Sequence, residues 1–256
     1  MRSLAPRYFV AGAAFVAALS CGEVPTSADG IAYISPVMLP SPAVAAGDKL
    51  RDSLGQVAPL RVLAYDRDGQ VISNVPSMFV VSSLPAGVTI DANGIVTALD
   101  SIRTVQIVGR VGERLQTTTI DLHVVTQPDL MEGSGAVDSL VIKSSALSVK
   151  ITGPRRGPRI PVRGIIVRYQ IVKVNGSSVV DSTVYKLVDD GNNTLRTDPR
   201  RAVDTTFTDG LASRFLTAAS TTGVDSVVVE ARATKLDGTT LTGSPVRFVV
   251  PVKKGP

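Results

Sequence analysis

Few side chains in this chain are of a type that does chemistry. There is one cysteine, Cys21, and one histidine, His123. Zinc sites need several thiolate or imidazole ligands, so the usual zinc geometries are excluded. His123 sits in a run where Ile120, Leu122 and Val124 alternate with Asp121 and His123. On a strand that alternation puts His123 on the open face, as a solvated side chain rather than a catalytic base. Ser134 lies between Gly133 and Gly135 but lacks the five-residue nucleophile elbow, and no phosphate-binding glycine loop is present. What remains is the binding of ions.

Two kinds of site suggest themselves. Asp66 with Asp68, Asp91 with Asn93, and Asp189, Asp190, Asn192 and Asn193 each gather oxygen ligands in a turn, as calcium requires. None completes the spaced acidic pattern of a calcium loop. The same residues also suit a turn that binds nothing, because Asp and Asn bond to nearby backbone. For anions, Arg155, Arg156, Arg159, Arg163 and Arg168 form the one basic cluster. Its first three members fall in Pro154–Pro161, where three prolines predict an exposed loop. Arg155, Arg156 and Arg159 would there face an anionic sugar, lipid phosphate or acidic partner, or only solvent. Nucleic acid is not expected as a partner, since the chain has no Trp and few aromatics to interleave with the cations.

Cys21 is explained by what precedes it. Arg2 and Arg7 lead into an apolar run, Phe9 to Leu19, that ends in Ala18-Leu19-Ser20-Cys21. The run is shorter than the ~20 residues of a spanning helix and reads as a secretory signal peptide, residues 1–20. Its end resembles the lipobox of bacterial lipoproteins, although Ala18 stands where that family usually has Leu. The resemblance implies acyl chains on Cys21, the first mature residue, and, with Gly22 following, sorting to the outer membrane. The alternative is ordinary cleavage after Ala18, which leaves Cys21 a free thiol. Residues 21–30, small and proline-bearing, then read as a lipidated tether.

The elements that must position any site are strands. Hydrophobic residues make up 44% of the chain and aromatic ones 4%, so the core is aliphatic and rich in β-branched side chains. The formal charge of +5 falls to about +3 once Arg2 and Arg7 leave with the leader. The single cysteine permits no internal disulfide. Length allows two domains.

The first, 31–126, contains Tyr65-Asp66-Arg67-Asp68-Gly69, Ser82-Ser83 and the hairpin run Val88-Thr89-Ile90-Asp91-Ala92-Asn93-Gly94-Ile95-Val96-Thr97-Ala98. This ordered set resembles the group 2 bacterial immunoglobulin-like domain. It departs from that family in having no Trp before Ser82 and in placing Asp100-Ser101 where a Gly is usual. Residues 127–136, with Pro128 and Gly133-Ser134-Gly135, read as a linker.

The second domain, 137–253, alternates at Leu147–Ile151, Ile165–Ile171 and Val227–Ala233. Thr208-Asp209-Gly210-Leu211-Ala212, with Gly223 and the strand from Asp225 to Thr234, is similar to the group 1 domain of invasin-type proteins. Arg214 falls where that family prefers an inward Val. Leu211 to Ala219 would suit a helix by propensity, yet no helical stripe continues it, so a strand is expected.

The sequence thus predicts an all-β protein: two immunoglobulin-like β-sandwiches in tandem after a lipoprotein signal peptide. The function expected is a lipid-anchored cell-envelope protein serving as a structural, spacer or adhesion module, without catalysis or cofactor. The membrane would be its partner through Cys21, with a protein or glycan partner in the envelope. The alternative is a carbohydrate-binding accessory module of the cell surface.

Overall fold

The computed structural model describes residues 30–82, 87–99, 102–112, 116–178, 180–181, 183–193 and 198–253. Cys21 and its leader lie outside them, as do Ser83, Asp100 and Ser101 of the family comparison. Every regular element among the described residues is a strand.

Among the described residues the first sandwich holds nine strands: β1 (Tyr33–Ile34), β2 (Ala43–Ala45), β3 (Ala64–Tyr65), β4 (Val71–Ile72), β5 (Ser77–Val81), β6 (Val88–Ile90), β7 (Val96–Ala98), β8 (Arg103–Val111) and β9 (Gln116–Val125). One sheet runs β2-β9-β8-β5, and the facing layer is built from β1-β3-β4 and the β6-β7 hairpin. That hairpin closes through Asp91–Gly94, with Gly94 at φ +78° and Val88 opposite Ala98. The long pair β8–β9 carries the core because inward positions alternate: Val105, Ile107, Leu122 and Val124 are buried while Asp121 is exposed. Each such side chain removed from water contributes about 1.5–3 kcal/mol. Phe79-Val80-Val81, although an apolar run, is only half-buried in β5. The reason is its place at the end of the sheet order, where Met78 is 52% exposed.

The second sandwich is larger: β10 (Leu130–Ser134), β11 (Leu147–Gly153), β12 (Ile160–Pro161), β13 (Ile166–Val174), β14 (Tyr185–Val188), β15 (Arg201–Thr205), β16 (Leu211–Ala218), β17 (Ser226–Arg232) and β18 (Val246–Pro251). One sheet is ordered β10-β11-β16-β14 with β12 on β11, and the other β15-β13-β17-β18. Their inner faces meet over Leu147, Val149, Val167, Leu216, Val227 and Val229, all fully buried. Leu211 to Ala218 is a strand, with Ala212, Arg214, Leu216 and Ala218 turned inward at period two.

In both units a segment near the start pairs in parallel with the end of the unit. Ala43 to Ala45 pair in parallel with His123 to Val125, and Leu140 bridges Val252 in parallel after β10 has already joined the other sheet. Two antiparallel sheets with this closing pair make an immunoglobulin-like sandwich.

The stretch expected as a linker, 127–136, needs correction. It contains β10, whose five residues pair in register with β11 from Leu130↔Thr152 to Ser134↔Ser148. An edge strand is held by backbone bonds and needs little apolar pattern. Here one side chain, Met131, is buried, and Gly133 lies against Val246, so the usual alternation is missing. Pro154–Pro161, expected as loop throughout, ends in the two-residue β12, with its proline on a short strand off the main path of the sheet.

Candidate functional site at the domain junction

The arginine loop does not converge on one point. Arg155 and Arg156 are exposed at its tip, beside Gly157 at φ +104°. Arg159 instead turns back, forming an ion pair with Asp129 and donating from Nε to Thr152 Oγ1 at 3.1 Å. Arg168 projects from β13 directly opposite Arg232 of β17. Arg163 lies elsewhere, at the junction described below.

The acidic turns use their oxygens on their own backbone. Asp66 Oδ1 accepts from the amides of Asp68 and Gln70 at 2.9 and 2.8 Å. Asp91 Oδ1 accepts from Asn93 and Ile95, both at 2.9 Å. Asp189 Oδ1 accepts from the Asn193 amide at 2.8 Å, and Asn192 takes φ +65° in the same turn. Asp190 instead faces Lys143, whose Nζ donates to its carbonyl at 2.9 Å. Ser134 ends β10 opposite Ser148. Among the described residues no group of three or more His, Cys, Asp or Glu side chains could hold a metal ion.

The residues that do come together lie where the sandwiches meet. On one side, the turn Asp52–Gly55 abuts Asp237-Gly238. A Cβ on Gly55 would lie 2.2 Å from the Asp237 carbonyl oxygen, and one on Gly238 would lie 2.8 Å from that of Leu54. Arg51 ties this turn down, pairing with Asp48 at 3.2 Å and donating to the Gly55 carbonyl at 3.0 Å. The Arg51 hydrogen bond holds the Asp48 carboxyl below its usual range, against burial and the nearby Asp237 charge. Asp237 is likewise held low, first by the Thr239 hydroxyl at 2.6 Å and with a contribution from Gln127.

On the other side, Gly164 packs onto β2 and β9. A Cβ there would stand 2.8 Å from that of Ala43 and 3.5 Å from the His123 ring. Ala43 and Val125 belong to the core cluster of the second sandwich, although both lie on strands of the first. His123 is therefore half-buried rather than solvated, as its own strand had suggested; the second sandwich covers it. Its Nδ1 lies 3.1 Å from Thr104 Oγ1. Burial first, then the charge of Arg163, push its pKa down, with Asp121 opposing.

A cleft of about 360 Å³ opens here, bounded by Pro42 and His123 of the first sandwich and by Arg163, Gly164, Arg214 and 203–207 of the second. Its floor is an ion pair. Asp204 and Arg214 both point inward, from β15 and β16, and so bridge the two sheets at 3.1 Å with side chains 13% and 10% exposed. Asp204 also accepts from the Ser213 amide at 2.7 Å, while Arg214 donates to the carbonyls of Ser213 and Val203 and leaves its buried Nε unpartnered. Next to them Tyr169, buried, donates to the Ala212 carbonyl at 2.8 Å, and burial pushes its pKa far up. Arg163 has no carboxylate partner among the described residues; its one hydrogen bond reaches Thr104 Oγ1 at 3.5 Å. It also lines a second cleft of about 240 Å³ with Thr104, Thr126 and Thr208. Phe207 at the rim is 69% exposed.

No family model matches the chain. No curated protein matches it either. Solved structures do. The chain is similar to the Yersinia pseudotuberculosis adhesin InvE, at 16% identity and TM-score 0.37, with 86% of this chain covered and 58% of that one. It is similar to the D0-D1 domain of intimin at 14% identity and TM-score 0.28, covering 88% and 99%. Domains 4 and 5 of the S-layer protein SbsC give 11% identity and TM-score 0.29, covering 88% and 99%. The chain thus spans less than two thirds of the InvE structure.

Of the residues at this cleft, His123, Arg163 and Arg214 were singled out in the sequence and Asp204 was not. Arg214 stood out as a charge at an inward position, and a charge there needs a buried partner. Asp204, four residues before the Thr208-Asp209-Gly210 turn, was the nearest acid on the incoming strand. Phe207 left no signal beyond being an aromatic beside a turn.

Proposed function

We propose that the chain is an exported protein of the cell envelope, anchored by acyl chains on Cys21, in which the two sandwiches serve together as a non-catalytic spacer or adhesion module. The observation that carries this reading is the junction. Glycine backbones interlock on one side, and Ala43 and Val125 enter the neighbouring core on the other. Two sandwiches so joined hold a fixed distance and angle, which a flexible pair does not. The leader and the cysteine at its end support export and anchoring. Among the described residues no helix is long and apolar enough to cross a membrane. The exposed Arg155 and Arg156 are the residues we assign to an anionic partner in the envelope.

The test is the mass of the mature N-terminal peptide from membranes of the producing cell, for the natural chain and Cys21→Ser. The reading expects an acylated Cys21 and release of the substituted protein into the soluble fraction. A free thiol on a chain beginning at Leu19 would overturn the anchor.

A further inference from the structure

The junction cleft has the size and the polarity of a small-molecule site. Its volume of about 360 Å³ falls within the ~300–1,000 Å³ typical of ligand pockets. Its charges can be followed one at a time. Arg214 is balanced by Asp204 at 3.1 Å. His123 is held toward its neutral form by burial and by Arg163. Arg163 is left as the uncompensated cation, in a lining it shares with His123 and the exposed Phe207.

One unbalanced guanidinium asks for one negative charge, presented as a planar oxyanion that two N–H groups can grip together. A phosphate monoester would bring up to two charges toward the Asp204 carboxylate and fits less well. A flat aromatic at the rim favours a ligand with a ring face to lay against it. Thr205 adds a hydroxyl to the wall. We propose that this cleft binds a sugar carrying a single carboxylate, of the hexuronic acid class, with the carboxylate on Arg163 and the ring against Phe207. The site is assembled from both sandwiches, so it exists only while the junction is closed. It does not depend on the lipid anchor.

The test is calorimetric titration of the full chain with glucuronate, glucose and glucose 6-phosphate, which share a ring and differ in charge. Glucuronate binds saturably, and glucose binds at least about tenfold more weakly, as expected for loss of a charge-assisted hydrogen bond. Glucose 6-phosphate does not exceed glucuronate. Arg163→Gln lowers glucuronate affinity at least about tenfold and Phe207→Ala several-fold, whereas Lys150→Gln, at an exposed position of β11 outside the cleft, leaves it unchanged. Thermal melts confirm that each variant is folded. Should Arg163→Gln fail to fold, Arg163→Lys keeps the charge but not the planar fork, and a several-fold loss is expected from it. Absence of saturable binding, equal affinity for glucose, preference for the phosphate, or unchanged affinity in the Arg163 variants would each overturn the proposal.

Discussion

Gly55 and Gly238 meet backbone to backbone across the domain junction, both at positive φ, +80° and +87°. Neither has room for a Cβ. The contact is made by main chain, which has few alternative arrangements, and it fixes the turn Asp52–Gly55 on the turn before Thr239. With Gly164 seated on Ala43 at the other side, the two sandwiches touch at two separated points. Two points oppose rotation better than one. The junction cleft with His123, Arg163 and Phe207 lies at the second of them.

Gly55→Val should therefore loosen the junction while both sandwiches remain folded. The strain of a β-branched residue at positive φ and the clash with Asp237 together amount to about 1–3 kcal/mol. Small-angle scattering should show a larger radius of gyration than the natural chain, with far-ultraviolet circular dichroism unchanged.

The Asp204–Arg214 pair bridges the two sheets of the second sandwich with little solvent contact. Removing one partner alone strands the other: Asp204→Ala or Arg214→Met should each cost about 3–5 kcal/mol in urea unfolding. Replacing both by apolar residues should be far less costly than the sum of the single changes. An additive double-mutant cycle would contradict the pairing.

Tyr169→Phe removes the hydroxyl that donates to the Ala212 carbonyl. A loss of about 0.5–1.5 kcal/mol is expected. Because burial raises its pKa, and that of Tyr185 as well, spectrophotometric titration above pH 10 should show fewer phenolates in the folded protein than in the unfolded chain, and Tyr169→Phe should narrow that difference.

Stability should fall on acidification in two stages. His123 has a folded pKa below its ordinary 6.5, so the unfolded state takes up the proton first as the pH drops through 6.5. Stability then decreases until the pH is below the folded value, and His123→Gln should flatten that first slope. Asp48 and Asp237 have folded values below 3.8, and Glu230 below 4.5 because Arg232 and Arg247 outweigh its burial. Their contributions are present above those ordinary values and are lost as the pH falls through the folded ones. Chemical denaturation at a series of pH values reads both stages.

Much of the architecture was legible because it is local. Alternation placed β9, β13 and β17, and the Asp91–Gly94 turn announced its hairpin. What escaped depends on contacts distant in sequence. His123 read as solvated because the residues that cover it, Arg163 and Gly164, come from the other sandwich. Glu230 shares the outward phase of Arg232, yet it is 4% exposed because Arg232 and Arg247 close over it. Arg214 marked a position where charge is costly, but only the register of β15 and β16 shows that Asp204 answers it. The strand hidden in the expected linker carried one inward side chain, Met131, too little for a pattern.

The proposed spacer role requires the two sandwiches to move as one body. Pulsed electron–electron resonance between spin labels at the exposed positions Thr89 of β6 and Lys186 of β14, each changed to cysteine with Cys21→Ser, measures this directly. A single narrow distance distribution that broadens in Gly55→Val is the predicted result. A broad distribution in the unaltered junction, insensitive to Gly55→Val, would contradict it.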